Sequence, residues 1–320
     1  MFSVSSTLGL AVWLASIIGT EAQCRNTVSV YNPNIRTMST NSTWFIVPVP
    51  KAAVQSAVKA AFPLQALTLL DVPSDPTLFP NGFPAGQHPV MVSIGLTDDI
   101  RMSVLQIDGP LLNSNIYATY VSQNGNPAPL AAGLNSYIAG PDGPLPNGLV
   151  PAVASTLLFA GNPLRLGQFA PEAAAYQDQG AGNLFAQAKW ALIPNPISGP
   201  GVYPEAADFA FTTASTSRYT QKTFKELANQ PIILPSGQCQ RNAAYFTNVT
   251  AMPVFRNGDV TLGPGADGLG VTSGTLMQAS PDKSGVYSNQ DGFSACAQVV
   301  GNNPEACDAA SANRDPNTLA

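Results

Sequence analysis

The sequence predicts a mostly β fold with two or more helices, its sheets closed or strongly curved. Three observations carry this. Short alternating runs of apolar residues recur along the chain, as half-buried strands require. The 29 prolines and 27 glycines fall largely at turn positions between those runs. Many short strands also leave many edges, and closing a sheet hides them.

The elements follow in order. Thr43 to Pro50 ("TWFIVPVP") has the β-branched and aromatic content of a strand. From Lys51 to Phe62 the period changes: Val54, Val58 and Phe62 stand four apart, which gives a helix one apolar face. Leu64 to Val72 reads as extended, and a Pro- and Gly-rich loop fills Pro73 to Pro89. Val90, Val92, Ile94 and Leu96 alternate strictly. Ile100 to Asp108 alternates with a slip near Val104-Leu105, which suggests a bulge or two buried faces. Asn115–Gln123, Leu164–Phe169 and Leu184–Ile193 are further strand candidates. Thr220 to Gln230 reads as a helix capped by Thr220, with Lys222 and Lys225 on its polar face. Asn257-Gly258 between two alternating runs has the form of a tight hairpin turn. Beyond Gly263 the composition shifts to Gly, Ser, Asn and Asp, so residues 266–320 are expected to be a surface extension, residues 23–265 forming the barrel domain.

The first 22 residues read as a secretory signal: Leu8 to Ile18 is apolar, too short to span a bilayer, and small residues lead to Ala22. The region before it carries no Lys or Arg, a departure from the usual pattern. An exported, extracellular protein without membrane attachment after cleavage is expected. Cys24, Cys239, Cys296 and Cys307 suit an oxidising compartment. Among the three connectivities, Cys296–Cys307 and Cys24–Cys239 are expected. Asn41 and Asn248 each begin an N-x-S/T sequon open to glycosylation. Charged residues make up only 10% of the chain, the net charge is −5, and the basic residues are scattered. A nucleic-acid partner needs them clustered, so none is expected.

Most familiar chemistries find no residues. The single histidine, His88, has no G-x-S-x-G elbow to accompany it and reads as a hydrogen-bonded structural residue. The cysteine spacings match no zinc pattern, and neither metal nor cofactor is expected. Gly263 to Gly270 is Gly-rich but leads into no helix, so it reads as a loop. One cluster remains: Asp98, Asp99 and Arg101 at the start of an otherwise apolar strand. A carboxylate and a guanidinium at a barrel mouth suit orienting a small acid or ketone. The same residues also suit a surface ion pair at a strand end.

Read together, "WFIVPVP", "KAAVQSAVKAAFP", "LQALTLL", "HPVMVSIGL", "DDIRMSVLQIDG" and "NIYATYVSQNGNPAPLAAGLNSY" follow one another in an order that resembles the acetoacetate decarboxylase-like superfamily. "SVLQIDG" and the L-x-x-Y of Leu134 to Tyr137 fit most closely. The resemblance implies a cone-like, mostly antiparallel β-barrel holding an apolar pocket. It further implies a lysine that condenses with a β-keto acid, its pKa lowered by desolvation and a neighbouring cation. Counting on from Leu134 and Tyr137, the places of the family's lysine pair hold Ala139 and Gly140, which cannot form an imine. Lys189 is the sole lysine inside an apolar strand-like run, where an outward-pointing placement is the ordinary one. The expected function is therefore binding of a small, mostly apolar keto or carboxylic molecule, with lyase or isomerase chemistry that needs no Schiff base. Asp98 would then be the general acid/base and Arg101 the anchor. Tyr117, Tyr120 and Tyr137 are candidate donors, at least two of them expected to be barrel packing. The alternative is a non-catalytic secreted glycoprotein. Glycan-active chemistry would need a facing carboxylate pair, and no obvious one stands in the sequence.

Overall fold

The computed structural model describes residues 24–107, 109–140, 164–190, 206–246, 253–263 and 271–320. After a 3-10 turn at Thr27–Val30, strand β1 (Arg36–Pro50) runs into helix α1 (Lys51–Ala61). Then come β2 (Leu67–Leu69), β3 (Gln87–Met102), β4 (Leu105–Ile107), β5 (Leu111–Gln123) and β6 (Leu130–Ala139). Next are β7 (Leu164–Ala170), β8 (Gln177–Asp178), β9 (Leu184–Trp190) and β10 (Ala206–Thr213). Helix α2 (Gln221–Ala228) precedes β11 (Ile232–Ile233), β12 (Cys239–Gln240), β13 (Asn242–Tyr245) and β14 (Val254–Leu262). The chain continues through α3 (Val271–Gly274), β15 (Val286–Gly301) and α4 (Cys307–Ala312).

Nine of these strands close into a barrel, in the order β6-β7-β9-β10-β14-β15-β1-β3-β5 and back to β6. Neighbours in the ring are antiparallel except β6 and β7. Apolar side chains from around the ring converge on the lumen. Phe45, Val47 and Val49 of β1, Val90, Val92 and Ile94 of β3, and Tyr137, Phe209, Val260 and Tyr287 from around the ring form one buried cluster. The apolar face of α1 (Val54, Ala57 and Val58) belongs to the same cluster, which is why a helix follows β1 directly. Truncating a fully buried ring such as Phe45 or Phe209 would cost about 3–5 kcal/mol.

Because successive strand residues point to opposite faces, the wall β15-β1-β3-β5-β6 has a second, outer surface. Trp44, Ile46, Met91 and Phe293 lie on it and pack with Phe224 and Leu227 of α2. Thr220 caps α2 through a reciprocal capping box with Thr223, as its sequence position predicts. The chain then crosses the wall. β11 pairs with β6 at one side, and β13 pairs with β15 at the other.

Several expectations need correction. Residues 286–301 are no surface extension: β15 sits between β14 and β1, and most of its residues are buried. Asn257-Gly258 makes no hairpin, since β14 runs through it, paired on both sides. Glycine is needed there because a Cβ on Gly258 would collide with the Ala210 carbonyl and Phe211. The slip near Val104-Leu105 is a reversal, with β4 folding back on β3. Lys225 is buried rather than on a polar face, and its Nζ donates to the Ala320 carbonyl.

The disulfides join Cys24 to Cys296 and Cys239 to Cys307, with Cα separations of 5.7 Å and 4.7 Å. The expected Cys296–Cys307 and Cys24–Cys239 bridges are not formed: Cys296 lies on β15, whose strand partner β1 follows Cys24, and Cys307 opens α4 beside β12, which holds Cys239. The expected signal lies outside the described residues. No helix among the described residues is long and apolar enough to cross a membrane.

His88 is fully buried, and its Nε2–H donates to the Thr119 carbonyl at 2.6 Å. Burial pushes its pKa down from 6.5 to about 4, against the opposing effect of that hydrogen bond. Between those values the unfolded chain takes up a proton that the folded chain refuses. Stability is therefore full above pH 6.5, falls as pH drops toward 4, and levels off below. The expected loss is on the order of 3 kcal/mol. Urea unfolding of His88→Gln across this range should lack that slope, and an unchanged slope would contradict the assignment.

Candidate functional site

A cavity of ≈ 300 Å³ lies against the outer surface of the wall. Its floor is built by alternation. Arg36, Met38, Thr40, Ser42 and Trp44 of β1 line it, as do Met91, Ser93 and Thr97 of β3 and Asn113, Asn115 and Tyr117 of β5. Their in-between neighbours Phe45, Val92, Ile94 and Ile116 belong to the lumen. The roof is the crossing segment: Ala228 of α2, Ile232 of β11, Gln240 of β12, and Asn242 and Ala244 of β13. Ile100, Met102, Ile107, Ile138 and Leu164 form an apolar flank. Among the described residues this cavity lies outside the barrel, while Tyr137, Phe45 and Phe209 are buried on its lumen side.

Arg36 is the one charged residue among the described residues that line this cavity. Its placement follows from register. Arg36 and Asn242 both stand opposite Gly301 on β15, one on each side. The guanidinium lies across Gly301, where a Cβ would sit 2.6 Å from Nη2 and 2.7 Å from Nε. Nη2 donates to Asn242 Oδ1 at 2.8 Å. Burial lowers the Arg36 pKa, and Tyr117 acts in the opposite direction. Guanidinium remains the charged form at any ordinary pH, given its reference value above 12.

The polar floor is largely paired with itself. Thr40 Oγ1 meets Ser42 Oγ at 2.9 Å, and Asn113 Nδ2 donates to Thr97 Oγ1 at 2.7 Å. Asn115 Nδ2 donates to Ser93 Oγ at 3.3 Å, and the Tyr117 hydroxyl donates to Asn115 Oδ1 at 3.2 Å. Burial raises the Tyr117 pKa, while Ser136 and the Arg36 charge hold it down. Tyr117 is therefore a neutral donor near neutral pH.

The residues singled out in the sequence are spread over the molecule. Asp98, Asp99 and Arg101 line a separate surface recess beside Cys24 and Asn26. Arg101 Nε pairs with Asp99 Oδ1 at 2.5 Å, and the arginine side chain is 45% exposed. The surface ion-pair placement is the one found. Of the tyrosines only Tyr117 lines the cavity. Tyr137 is lumen packing, and Tyr120 packs against Phe79 on the outer face. Burial raises the Tyr120 pKa. Lys189 shares β9 with the buried Ala186 and Ala188 but has opposite parity to Ala188, and its charge acts on Asp208. None of the six lysines lines the cavity. Lys51 bonds Asp71, Lys222 reaches Thr77, and Lys59 and Lys283 are exposed. Ala139 is buried at the end of β6, and Gly140 follows it in an isolated bridge. Asn41 lies mid-strand and partly buried between Leu96 and Cys296, unlike an exposed sequon. Asn248 lies outside the described residues.

The site defines a class: a closed, mostly antiparallel barrel carrying a roofed, nearly uncharged cavity with one cationic end. No protein-family model matches the chain, and no curated protein matches it. Among solved structures it is similar to the enduracididine biosynthesis enzyme MppR, complexed with the condensation product of pyruvate and imidazole 4-carboxaldehyde. That similarity has a TM-score of 0.43 and 11% identity, covering 86% of this chain and 90% of that one. It is also similar to an acetoacetate decarboxylase-like enzyme from Sphingomonas wittichii RW1. There the TM-score is 0.44 and the identity 9%, over 85% of this chain and 93% of that one. The second carries the family description that the element order from Trp44 to Gly140 resembles.

The Arg36–Gly301–Asn242 row makes a testable claim about placement. In Gly301→Ala the added Cβ meets the buried Arg36 guanidinium, so stability should fall by about 1–3 kcal/mol. The guanidinium must shift off Asn242. A crystal structure of the variant that retained the 2.8 Å bond would contradict this reading.

Proposed function

We propose that this chain is an exported protein that binds a small, mostly apolar molecule bearing a carboxylate or keto group, held at one end by Arg36. The observation that carries the reading is a single guanidinium among described lining residues that are otherwise neutral. Taking a carboxylate out of water is costly unless a cation with matching donors receives it, and a guanidinium offers a planar fork of donors for that purpose. Asn242 beside it and the neutral Tyr117 hydroxyl add polar contacts. The apolar flank takes the remainder of the molecule, at roughly 25 cal/mol per Å² of apolar surface removed from water.

Binding without imine chemistry is the better supported form of this reading. A Schiff base needs a desolvated amine within reach of the bound carbonyl. The described cavity-lining residues include no lysine, and no Asp, Glu or His either. The two disulfides suit an oxidising compartment, which supports export.

Calorimetric titration with hexanoate tests the anchor. Arg36→Met should weaken binding roughly tenfold to a hundredfold, the range for a lost charge-assisted hydrogen bond. Equal affinity in the two proteins would remove Arg36 from the site. Borohydride treatment with acetoacetate, followed by intact mass measurement, should leave all lysines unmodified. A stable adduct would restore the imine route.

A further inference from the structure

We infer that the Cys24–Cys296 disulfide is a redox latch on the carboxylate site: an external dithiol that opens it releases the strap of residues 24–35 and loosens the start of β1, which carries Arg36. This rests on the carboxylate-binding reading above and adds a regulation to it.

The way the strap is held carries the inference. Of residues 24–35 only Asn26 is buried, and Val30 and Tyr31 are 76% and 85% exposed. Apolar burial therefore contributes little. Hydrogen bonds attach the strap instead. Gln298 Oε1 of β15 accepts from the Thr27 and Val28 amides at 2.7 Å and 3.0 Å, and from Thr27 Oγ1 at 2.8 Å. Asn26 Nδ2 donates to Thr37 Oγ1 of β1 at 3.0 Å and to the Asp99 carbonyl of β3 at 2.7 Å. The Ser103 amide donates to the Pro33 carbonyl at 2.9 Å. Water can take the place of either partner on release, so the net contribution of each bond is small. The covalent bond is what makes the attachment lasting.

The strap clamps a weak place. β1 pairs with β3 from Pro50 back to Ser39, then slips register, and only Thr37 pairs beyond the slip, with Arg101. Asn26 holds Thr37 on the face opposite its neighbour Arg36. A strand end without such a clamp frays. A carboxylate must then order the end before the guanidinium can hold it, which lowers affinity.

Access decides which disulfide opens first. Cys24 is partly exposed and lines the surface recess beside Asp98, whereas Cys239 and Cys307 are buried. One thiolate of the dithiol bonds to Cys24 Sγ. The Sγ–Sγ bond breaks, and its electron pair leaves on Cys296, which takes up a proton. The second thiolate then displaces Cys24, which is protonated in turn. The dithiol ends as a disulfide and both cysteines as thiols.

Dithiothreitol supplies the test, added to the folded protein in limiting amounts. Quenched samples, alkylated in denaturant and mapped by mass, should show Cys24 and Cys296 labelled before Cys239 and Cys307. Hydrogen exchange at the Thr27 and Val28 amides should speed up at least about tenfold on reduction, with Thr43 to Ile46 still protected. Calorimetry should show hexanoate binding at least about fivefold more weakly than to the oxidised protein, the lower end of coupling between linked sites. Cys24→Ser should show the same two changes without dithiol. If that variant does not fold, the reduced unmodified protein decides alone. Opening of Cys239–Cys307 first, or a strap still protected once Cys24 and Cys296 are reduced, would overturn the latch. A released strap with unchanged hexanoate affinity would overturn the regulation and leave the carboxylate site standing. Failure of hexanoate to bind the oxidised protein would overturn the carboxylate reading and the regulation with it.

Discussion

The structure depends on a wall that is covered on both faces. β1, β3 and β5 bury alternate residues toward the lumen, and their remaining residues either pack under α2 or line the cavity. A strand with one wet face can place polar residues freely at every second position. Here the polar residues of the second face are hydrogen-bonded to one another, and the burial of β6 is continuous along its length. A one-residue slip would exchange the two sets: Phe45 would enter the cavity and Trp44 the lumen. The register of the wall and the composition of the site are one constraint.

Much of this was legible in the sequence. The Val54, Val58 and Phe62 spacing found α1, and Thr220 found the start of α2. The alternation of Val90 to Ile94 found the inner face of β3. What escaped were relations between distant segments. Asn257-Gly258 has the local chemistry of a turn, but Gly258 is required by the close approach of β10, 47 residues earlier at Phe211. β15 reads as polar because Ser288, Asn289 and Gln290 open it, yet the strand from Asp291 to Gly301 is almost wholly buried. Cysteine pairing depends on where strands lie, which sequence spacing does not encode.

The site was less legible than the fold. The cluster of Asp98, Asp99 and Arg101 drew attention because its charges are adjacent in sequence, but adjacency on a strand end more often means a solvated pair. Arg36 stands alone in "NIRTMSTNSTW", and no local pattern marks it. One signal was available. Arg36, Met38, Thr40, Ser42 and Trp44 form a period-two series ahead of a strongly predicted strand. Extending that strand backward would have placed a cation on the same face as Trp44. Of the three candidate tyrosines Tyr117 lines the cavity, while Tyr120 and Tyr137 are packed in the two buried clusters.

The position of β15 has a bearing on synthesis. β1 and β3 emerge early and can pair as soon as both are made, yet the other edge of β1 waits for residues 291–301. Until then a nascent chain presents a long strand edge with unanswered backbone donors and acceptors, the kind of template on which foreign strands add. Ring closure is therefore a late event of very high contact order. The bond between Cys24 and Cys296 spans the same pairing, at a separation of 272 residues, and can lock it only once Cys296 has been made.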